Sequence, residues 1–177
     1  MKNAFLFLLL FTLFSVKAQE FTQDDSQTKV TFKIKNFGVN VDGDFSDVKI
    51  QTNFDSKDLT GSYINATIQV ISISTGIKKR DKHILEEGYF DEPNYKEIKL
   101  SSSKVEKKSD GNFEMTANLT IKETTKEFVI PLEITESDNS ISIKSNFQIN
   151  RRDFKVGGGS MIMSKKVKIE VQYTGIK

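Results

Sequence analysis

The chain has 177 residues, with 26 basic and 24 acidic side chains and no cysteine. Without cysteine it has no disulfide framework, no thiolate nucleophile and no lipidated cysteine. Residues 1–18 hold two of the lysines and no acid, so the remainder has 24 residues of each sign. A chain balanced in this way has no basic footprint for nucleic acid, and we predict no nucleic-acid partner.

The first 18 residues are typical of a secretory signal peptide. Lys2 precedes an apolar run from Ala4 to Phe14, and Val16 and Ala18 occupy the minus-three and minus-one positions of a signal peptidase site. The run is about half of the roughly 20 residues that cross a bilayer. We therefore predict cleavage after Ala18, no permanent membrane anchor, a periplasmic or secreted location, and a single domain over residues 19–177.

Most of the remaining chain alternates apolar and polar residues with a period of two, which predicts strands with one buried and one wet face. Eight such segments follow one another, at residues 30–34, 39–50, 64–70, 98–105, 113–121, 128–134, 141–149 and 167–173. Turn signals, such as Asp110-Gly111 and residues 122–126, separate neighbours and favour antiparallel hairpins. The pattern predicts an all-β protein, and by itself it leaves barrel and sandwich equally open.

Two segments interrupt the alternation. Helix-forming residues from Lys78 to Glu87 predict a short helix between the third and fourth strands, with Gly88 as its stop signal. The second segment, residues 150–164, contains three consecutive glycines and is typical of an irregular loop.

The helical segment contains the only histidine, His83, and so it is the first place to look for catalysis. Asp81 lies two residues before His83, and side chains at that spacing do not face each other on a helix. One histidine without cysteine is also unlike the usual zinc ligand sets. We therefore predict no catalytic residue and no metal site. Arg80, Asp81 and His83 are interpreted either as a structural clamp or as polar recognition groups at a cavity mouth.

Several motifs in order resemble the YceI-like family of exported, lipocalin-like proteins. The likeness rests on five stretches, "KVTFKIKNFGVNVDGDF" (29–45), "ISISTGIKKRDKHI" (71–84), "YFDEPNY" (89–95), "LTIKETTKEFVIPL" (119–132) and "INRRDFKV" (149–156). It implies an eight-stranded antiparallel barrel around an apolar pocket. It also implies a bound amphiphile, a polyisoprenoid or a fatty amide, as ligand, with no other cofactor.

From the resemblance and the alternation we assign candidate ligand-binding residues. The candidates for the polar head and pocket cap are Arg80, Asp81, His83, Phe90 and Tyr95. The candidates for the barrel interior are Phe32, Phe45, Ile68, Val70, Leu119, Phe147 and Val171. The leading hypothesis is an exported, non-enzymatic lipid-binding protein for storage or transport. The alternative is an envelope interaction module with a solid core and no lipid, and homodimerisation is left open in both cases.

Overall fold

The computed structural model describes residues 21–177, so the predicted signal peptide lies outside the described residues. The strands are β1 (Thr22–Gln23), β2 (Lys29–Asn36), β3 (Val39–Phe45), β4 (Val48–Thr52), β5 (Ile64–Gln69), β6 (Ile73–Ser74), β7 (Glu97–Lys107), β8 (Phe113–Ile121), β9 (Thr124–Glu136), β10 (Ser140–Asn150) and β11 (Met163–Ile176). The helix α1 spans Lys78–Ile84, and short 3-10 turns cover Val70–Ser72 and Arg151–Phe154.

The strands form a closed antiparallel ladder. Consecutive strands from β7 to β11 pair as hairpins, and β11 pairs back to β2. Strand β2 pairs with β3, and β5 pairs with both β4 and β7. The barrel closes because β3 and β4 form one bent strand, and β5 and β6 form another. The two bent strands run side by side, with β3 paired to β6 and β4 paired to β5. Closure leaves the long strands without a free edge.

The predicted eight-stranded all-β barrel is confirmed, although the structure divides it into eleven strands. The irregular segment 39–50 corresponds to β3 and β4, which a bend at Ser46 and Asp47 separates. The two-residue strand β6 continues β5 beyond a 3-10 turn, and the two-residue β1 pairs with the end of β11. When each bent strand is counted once and β1 is set aside, eight strands encircle the interior.

One end of the barrel, here called the closed end, is filled by aromatic side chains. Phe21, Phe54, Phe113 and Tyr173 are all buried there, and the rings of Phe54 and Phe113 meet edge to face with centroids 5.1 Å apart. The opposite end, called the mouth, carries the β2–β3 turn, the segment 75–96, the β8–β9 turn and the segment 151–162. Packing thus seals the closed end, so an opening into the interior can lie only at the mouth.

The helix α1 lies between the third and fourth encircling strands, as predicted, but it is shorter than its sequence suggests. It ends at Ile84, and the amides of Tyr89 and Asp91 both donate to the carbonyl of Glu86 in a tight turn. The predicted stop at Gly88 is therefore wrong by one turn, because backbone turn bonds end the helix earlier. Among the described residues no helix is long and apolar enough to cross a membrane.

Gly43, from the Val-x-Gly-x-Phe motif of β3, allows a close approach of three chain segments. A Cβ at this position would lie 2.6 Å from the carbonyl oxygen of Ser74 and would also clash with the ring of Phe32. Because Ser74 belongs to β6, the glycine lets β3 turn inward where the two bent strands meet.

Candidate functional site

The interior of the barrel contains an elongated, mostly apolar cavity. Its volume is about 230 Å³. Lining side chains extend along β2 from Val30 to Asn36, a length of about 20 Å at the usual rise of a strand. The interior is therefore not a solid core.

The cavity opens at the mouth. Asn36, Arg80, Ile84 and Tyr89 line it there and are half-buried, whereas the wall residues Met115 and Ile130, further inside, are buried. The aromatic side chains of the closed end do not line it. A molecule would thus enter beside α1 and extend towards the closed end.

The cavity wall holds few polar groups. The cavity has 33 lining residues, and none of them is acidic. Apart from Tyr89, the lining residues with polar or charged side chains are Asn36, Thr75, Arg80, Ser145 and Arg151. The hydroxyl of Ser145 donates to the carbonyl of Pro131 at 2.7 Å, so this group is already satisfied. The remaining polar groups gather near the mouth.

Arg80 and Asp81 are organised by Thr75, the residue that follows β6. The Arg80 Nε donates to the Thr75 hydroxyl at 2.6 Å, and its Nη2 donates to the Thr75 carbonyl at 2.8 Å. The Asp81 carboxylate accepts hydrogen bonds from the Thr75 amide and hydroxyl. Asp81 thereby anchors the start of α1 and stays off the cavity wall, while Arg80 is held on it.

Arg151 is a buried charged residue at the mouth, with 3% of its surface exposed. Its guanidinium donates to four backbone carbonyls, those of Ser164 at 2.9 Å, Val156 at 2.7 Å, Gly158 at 2.9 Å and Met163 at 3.1 Å. Burial lowers the pKa of Arg151 from its ordinary value. This side chain holds the glycine-rich segment in place and also lines the cavity.

Gly157 lies at the junction of the two mouth segments. Its amide donates to the carbonyl of Gly88 at 3.0 Å. It has a φ of +72°, and a Cβ there would lie 2.9 Å from the ring of Tyr89 and 3.0 Å from Nη1 of Arg151. Tyr89 and Arg151 therefore both pack against Gly157, on one side of the opening.

Three of the five predicted cap residues, Asp81, His83 and Tyr95, lie outside the cavity wall. His83 is exposed, its Nδ1 is 2.9 Å from a carboxylate oxygen of Glu86, and its ring packs behind that of Tyr89 at 4.9 Å. The nearby carboxylate of Glu123 raises the pKa of the Tyr95 phenol. The predicted placement of these residues at the pocket is therefore corrected, because Thr75 holds Asp81, His83 lies on the exposed side of α1, and Tyr95 lies in the segment before β7. Whether any of them contacts a ligand stays a prediction. Arg80 and Phe90 do line the cavity.

Six of the seven predicted interior residues line the cavity, namely Phe32, Phe45, Ile68, Leu119, Phe147 and Val171. Val70 does not, because it begins a 3-10 turn that interrupts the alternation, and it is buried in the packed wall beside Ile98. Whether any of these residues binds a ligand stays a prediction.

Sequence reasoning missed Thr75, Tyr89, Arg151 and Met163 as lining residues. Arg151 was within a motif used for the resemblance, but a buried arginine bonded to carbonyls from distant positions has no local signature. Thr75 had a weak signal, since a short polar residue before a helix often organises its first turn.

Comparison with known proteins gives a match to a family model over most of the chain. The model described as the YceI-like domain matches residues 21–174. A UPF0312 protein of Shewanella oneidensis is 29% identical over 124 residues, which cover 68% of this chain and 65% of that protein. A UPF0312 protein of Yersinia enterocolitica is 24% identical over 178 residues, which cover 96% of this chain and 92% of that protein. The chain thus spans just under two thirds of the Shewanella relative.

Solved structures share the fold at low identity. BcnA of Burkholderia cenocepacia superposes with a TM-score of 0.81 at 23% identity, covering 86% of this chain and 98% of BcnA. A polyisoprenoid binding domain from Saccharophagus degradans, implicated in plant cell wall breakdown, has a TM-score of 0.71 at 13% identity, with 90% and 99% of the two chains covered. At these identities the likeness establishes the fold alone.

Proposed function

The chain belongs to the YceI-like domain family, and we propose that it is a non-enzymatic carrier that holds an amphiphilic lipid, a polyisoprenoid or a fatty amide, inside its barrel. The observation that carries this proposal is the cavity itself, which is long and open at one end. Of its 33 lining side chains, 28 are apolar or aromatic. A solved structure of similar fold is described as a polyisoprenoid binding domain, which supports the same ligand class.

Burial of an apolar chain supplies the affinity without covalent chemistry. Each buried methylene contributes about 0.8 kcal/mol, so ten methylenes contribute roughly 8 kcal/mol before the cost of ordering the chain. The polar groups at the mouth, including Arg80 and Thr75, are placed to contact the head of such a molecule. His83 and Glu86 form an exposed pair that does not line the cavity, and the proposal assigns neither of them a catalytic role.

Mass spectrometry tests the proposal directly. We expect the purified protein to carry a stoichiometric hydrophobic molecule in native spectra, and organic extraction to release it for identification. Protein that emerges without ligand and also refuses added isoprenoids and fatty amides would contradict lipid binding. That outcome would favour the alternative of an envelope interaction module.

A matched pair of variants locates the bound molecule. Phe147→Glu places a carboxylate on the cavity wall, and we expect it to abolish lipid uptake because an unpaired charge there is costly. Val129→Glu is the control, because Val129 is an exposed apolar residue on β9. Circular dichroism must show both variants folded. Equal uptake by the two folded variants would place the ligand outside the barrel.

Export is part of the same proposal. The signal-peptide features of residues 1–18 and the absence of cysteine support release into the periplasm or the medium without a lipid anchor. Cell fractionation with N-terminal sequencing of the mature protein checks it. Recovery of an intact N-terminus in the cytoplasm would refute it.

A further inference from the structure

Arg80 and Arg151 are two cationic side chains on the wall of one otherwise apolar cavity. Arg151 comes from the segment after β10 and Arg80 from α1, so the fold brings them to the same opening from positions 71 residues apart. Neither forms an ion pair with a carboxylate among residues 21–177. The wall that they share has two formal positive charges and no acidic residue.

The hydrogen-bonding capacity of the two arginines is not exhausted. A guanidinium has five N–H donors. Arg80 uses two of them, both towards Thr75, and the described residues provide no partner for the other three. Arg151 makes four bonds to carbonyls. Donors therefore remain at the mouth after the structural role of each arginine has been met.

An uncompensated positive charge beside apolar surface is unfavourable, and an anion placed between two guanidinium groups relieves it. The Asp81 carboxylate reaches Arg80 only through the Thr75 hydroxyl. A neutral quinone, alcohol or amide head would therefore leave both guanidinium groups without a direct ion-pair partner once the lipid has displaced water from the cavity. A carboxylate or phosphate would accept charge-assisted hydrogen bonds from the free donors.

We infer that the ligand of this barrel is an anionic amphiphile, whose carboxylate or phosphate head lies between Arg80 and Arg151 and whose chain fills the apolar cavity. This inference rests on the proposed lipid-binding function and narrows its ligand class. Thr75 positions Arg80, and Tyr89 borders the head site on the side of Arg151.

Matched pairs of lipids test it on the purified protein after delipidation. Palmitate and palmitamide differ only in the head, as do geranylgeranyl phosphate and geranylgeraniol, and each is titrated against a bound neutral dye, N-phenyl-1-naphthylamine. We expect the anion of at least one pair to bind at least tenfold more tightly than its neutral partner, the effect of one charge-assisted bond or more. The pair that shows the preference distinguishes a fatty acid from a prenyl phosphate.

Variants assign the preference to the site. Arg80→Gln should remove most of the preference for the anionic lipid. Lys79→Gln, which deletes the same charge from an exposed neighbour, should leave that preference intact. Equal binding of anion and neutral partner in both pairs would overturn the inference and leave lipid binding standing. Failure of all four lipids to bind would instead refute the proposed function. Equal losses in the two variants would also overturn the inference, since general surface charge would then explain the preference.

A separate observation concerns one part of the outer rim of the mouth, formed by the β2–β3 turn and the segment before β11, which holds four apolar side chains that face solvent. Phe37 is 72% exposed and Met161 is 98% exposed, and Val39 and Ile162 are exposed beside them. We call these four residues the mouth patch. The amide of Phe37 donates to the carbonyl of Ile162 at 3.0 Å, which joins the β2–β3 turn to the segment before β11. Their neighbours Asn36 and Met163 pair with each other and line the cavity.

The mouth patch also carries strain and charge. Phe37 has a φ of 51°, a left-handed conformation that is rare for a bulky residue and costs stability without any burial in return. Three exposed lysines lie close to the patch in the chain, Lys35 before Phe37, and Lys165 and Lys166 after Ile162. None of them is in an ion pair within the described residues. Apolar tips next to unpaired lysines have the composition of a surface that inserts into an anionic bilayer.

We propose that the mouth patch docks the protein on an anionic phospholipid bilayer, with the opening of the cavity towards the membrane. The test is flotation of the purified protein with vesicles of phosphatidylcholine, alone or mixed with phosphatidylglycerol. We expect binding to the mixed vesicles, and a loss of at least tenfold in the double variant Phe37→Ser with Met161→Ser, because two exposed apolar side chains no longer insert. Val129→Ser, on the barrel flank, is the control.

Absence of binding to either vesicle would overturn the docking proposal, as would binding that the double variant retains in full. A second copy of the chain is the competing occupant. A dimer in light scattering that the double variant abolishes, without vesicle binding, would assign the patch to self-association and refute membrane docking.

Discussion

Replacement of Arg151 by methionine tests how the mouth of the barrel is held together. The variant keeps an unbranched, apolar stem of similar course but deletes the guanidinium and its four bonds to backbone carbonyls. The carbonyls of Val156 and Gly158 lie between the 3-10 turn and β11, and those of Met163 and Ser164 lie at the start of β11.

The magnitude follows from the surroundings of each bond. The bond to the carbonyl of Val156 is buried, so its loss costs about 2 kcal/mol. The other three bonds are half-buried, and water can replace the donor, which limits each loss to about 1 kcal/mol. Release of the desolvated charge offsets part of the sum, and we expect a net destabilisation of about 3 kcal/mol. For a chain of this size that lowers Tm by roughly 6–12 °C.

Urea and thermal unfolding, followed by circular dichroism on delipidated protein, measure the loss. Arg152→Met is the matched control, because its side chain is exposed and has one hydrogen bond to a carbonyl, that of Ser160. We expect this control to stay within about 0.5 kcal/mol of the wild type. If Arg151→Met cost less than about 1 kcal/mol, the claim that this arginine organises the mouth would be wrong.

Three further changes probe other parts of the barrel. Gly43→Ala should destabilise the protein by about 1–3 kcal/mol in urea unfolding, because the new methyl group clashes with a backbone carbonyl and with Phe32; wild-type stability would refute the close approach described for β3. The hydrogen bond from Lys155 holds the pKa of Glu123 down at about 2, so this carboxylate stabilises the fold above pH 4.5 and loses that effect as the pH falls towards 2. Glu123→Gln should therefore show a slightly smaller acid-induced drop in Tm over that window, and an unchanged drop would argue against the ion pair. His83→Ala should leave lipid affinity within twofold of the wild type, since the ring lies outside the cavity, and a large loss measured by dye displacement would place it at the head site.

Local patterns in the sequence were enough to locate the strands. Side chains alternate across a strand by covalent geometry, so Phe32, Phe147 and Val171 could be assigned to the inner face without knowledge of any partner strand. The same reasoning failed at Val70, where a 3-10 turn breaks the alternation. That turn exists because the strand must bend with its neighbour to close the barrel, which is a tertiary requirement.

The cap of the pocket was predicted less well than its walls. The segment around α1 was recognised as an exception to the strand pattern, and Arg80 and Phe90 do face the cavity. Asp81, His83 and Tyr95 do not: Thr75 holds the Asp81 carboxylate, His83 lies against Glu86 on the exposed side of α1, and Tyr95 lies beyond the turns that follow the helix. A helix of seven residues, about two turns, is too short for periodicity to define its inner face, and long-range packing decides it.

By itself, the sequence determined the all-β class, the number of encircling strands, the inserted helix and the apolar character of the inner face, because each of these depends on residues close together in the chain. Only the tertiary structure decided that the interior is hollow and that Arg80 and Arg151 share one opening. Whether a barrel is filled depends on how closed strands space their side chains across the interior, and a buried charge depends on carbonyls that other segments bring to it.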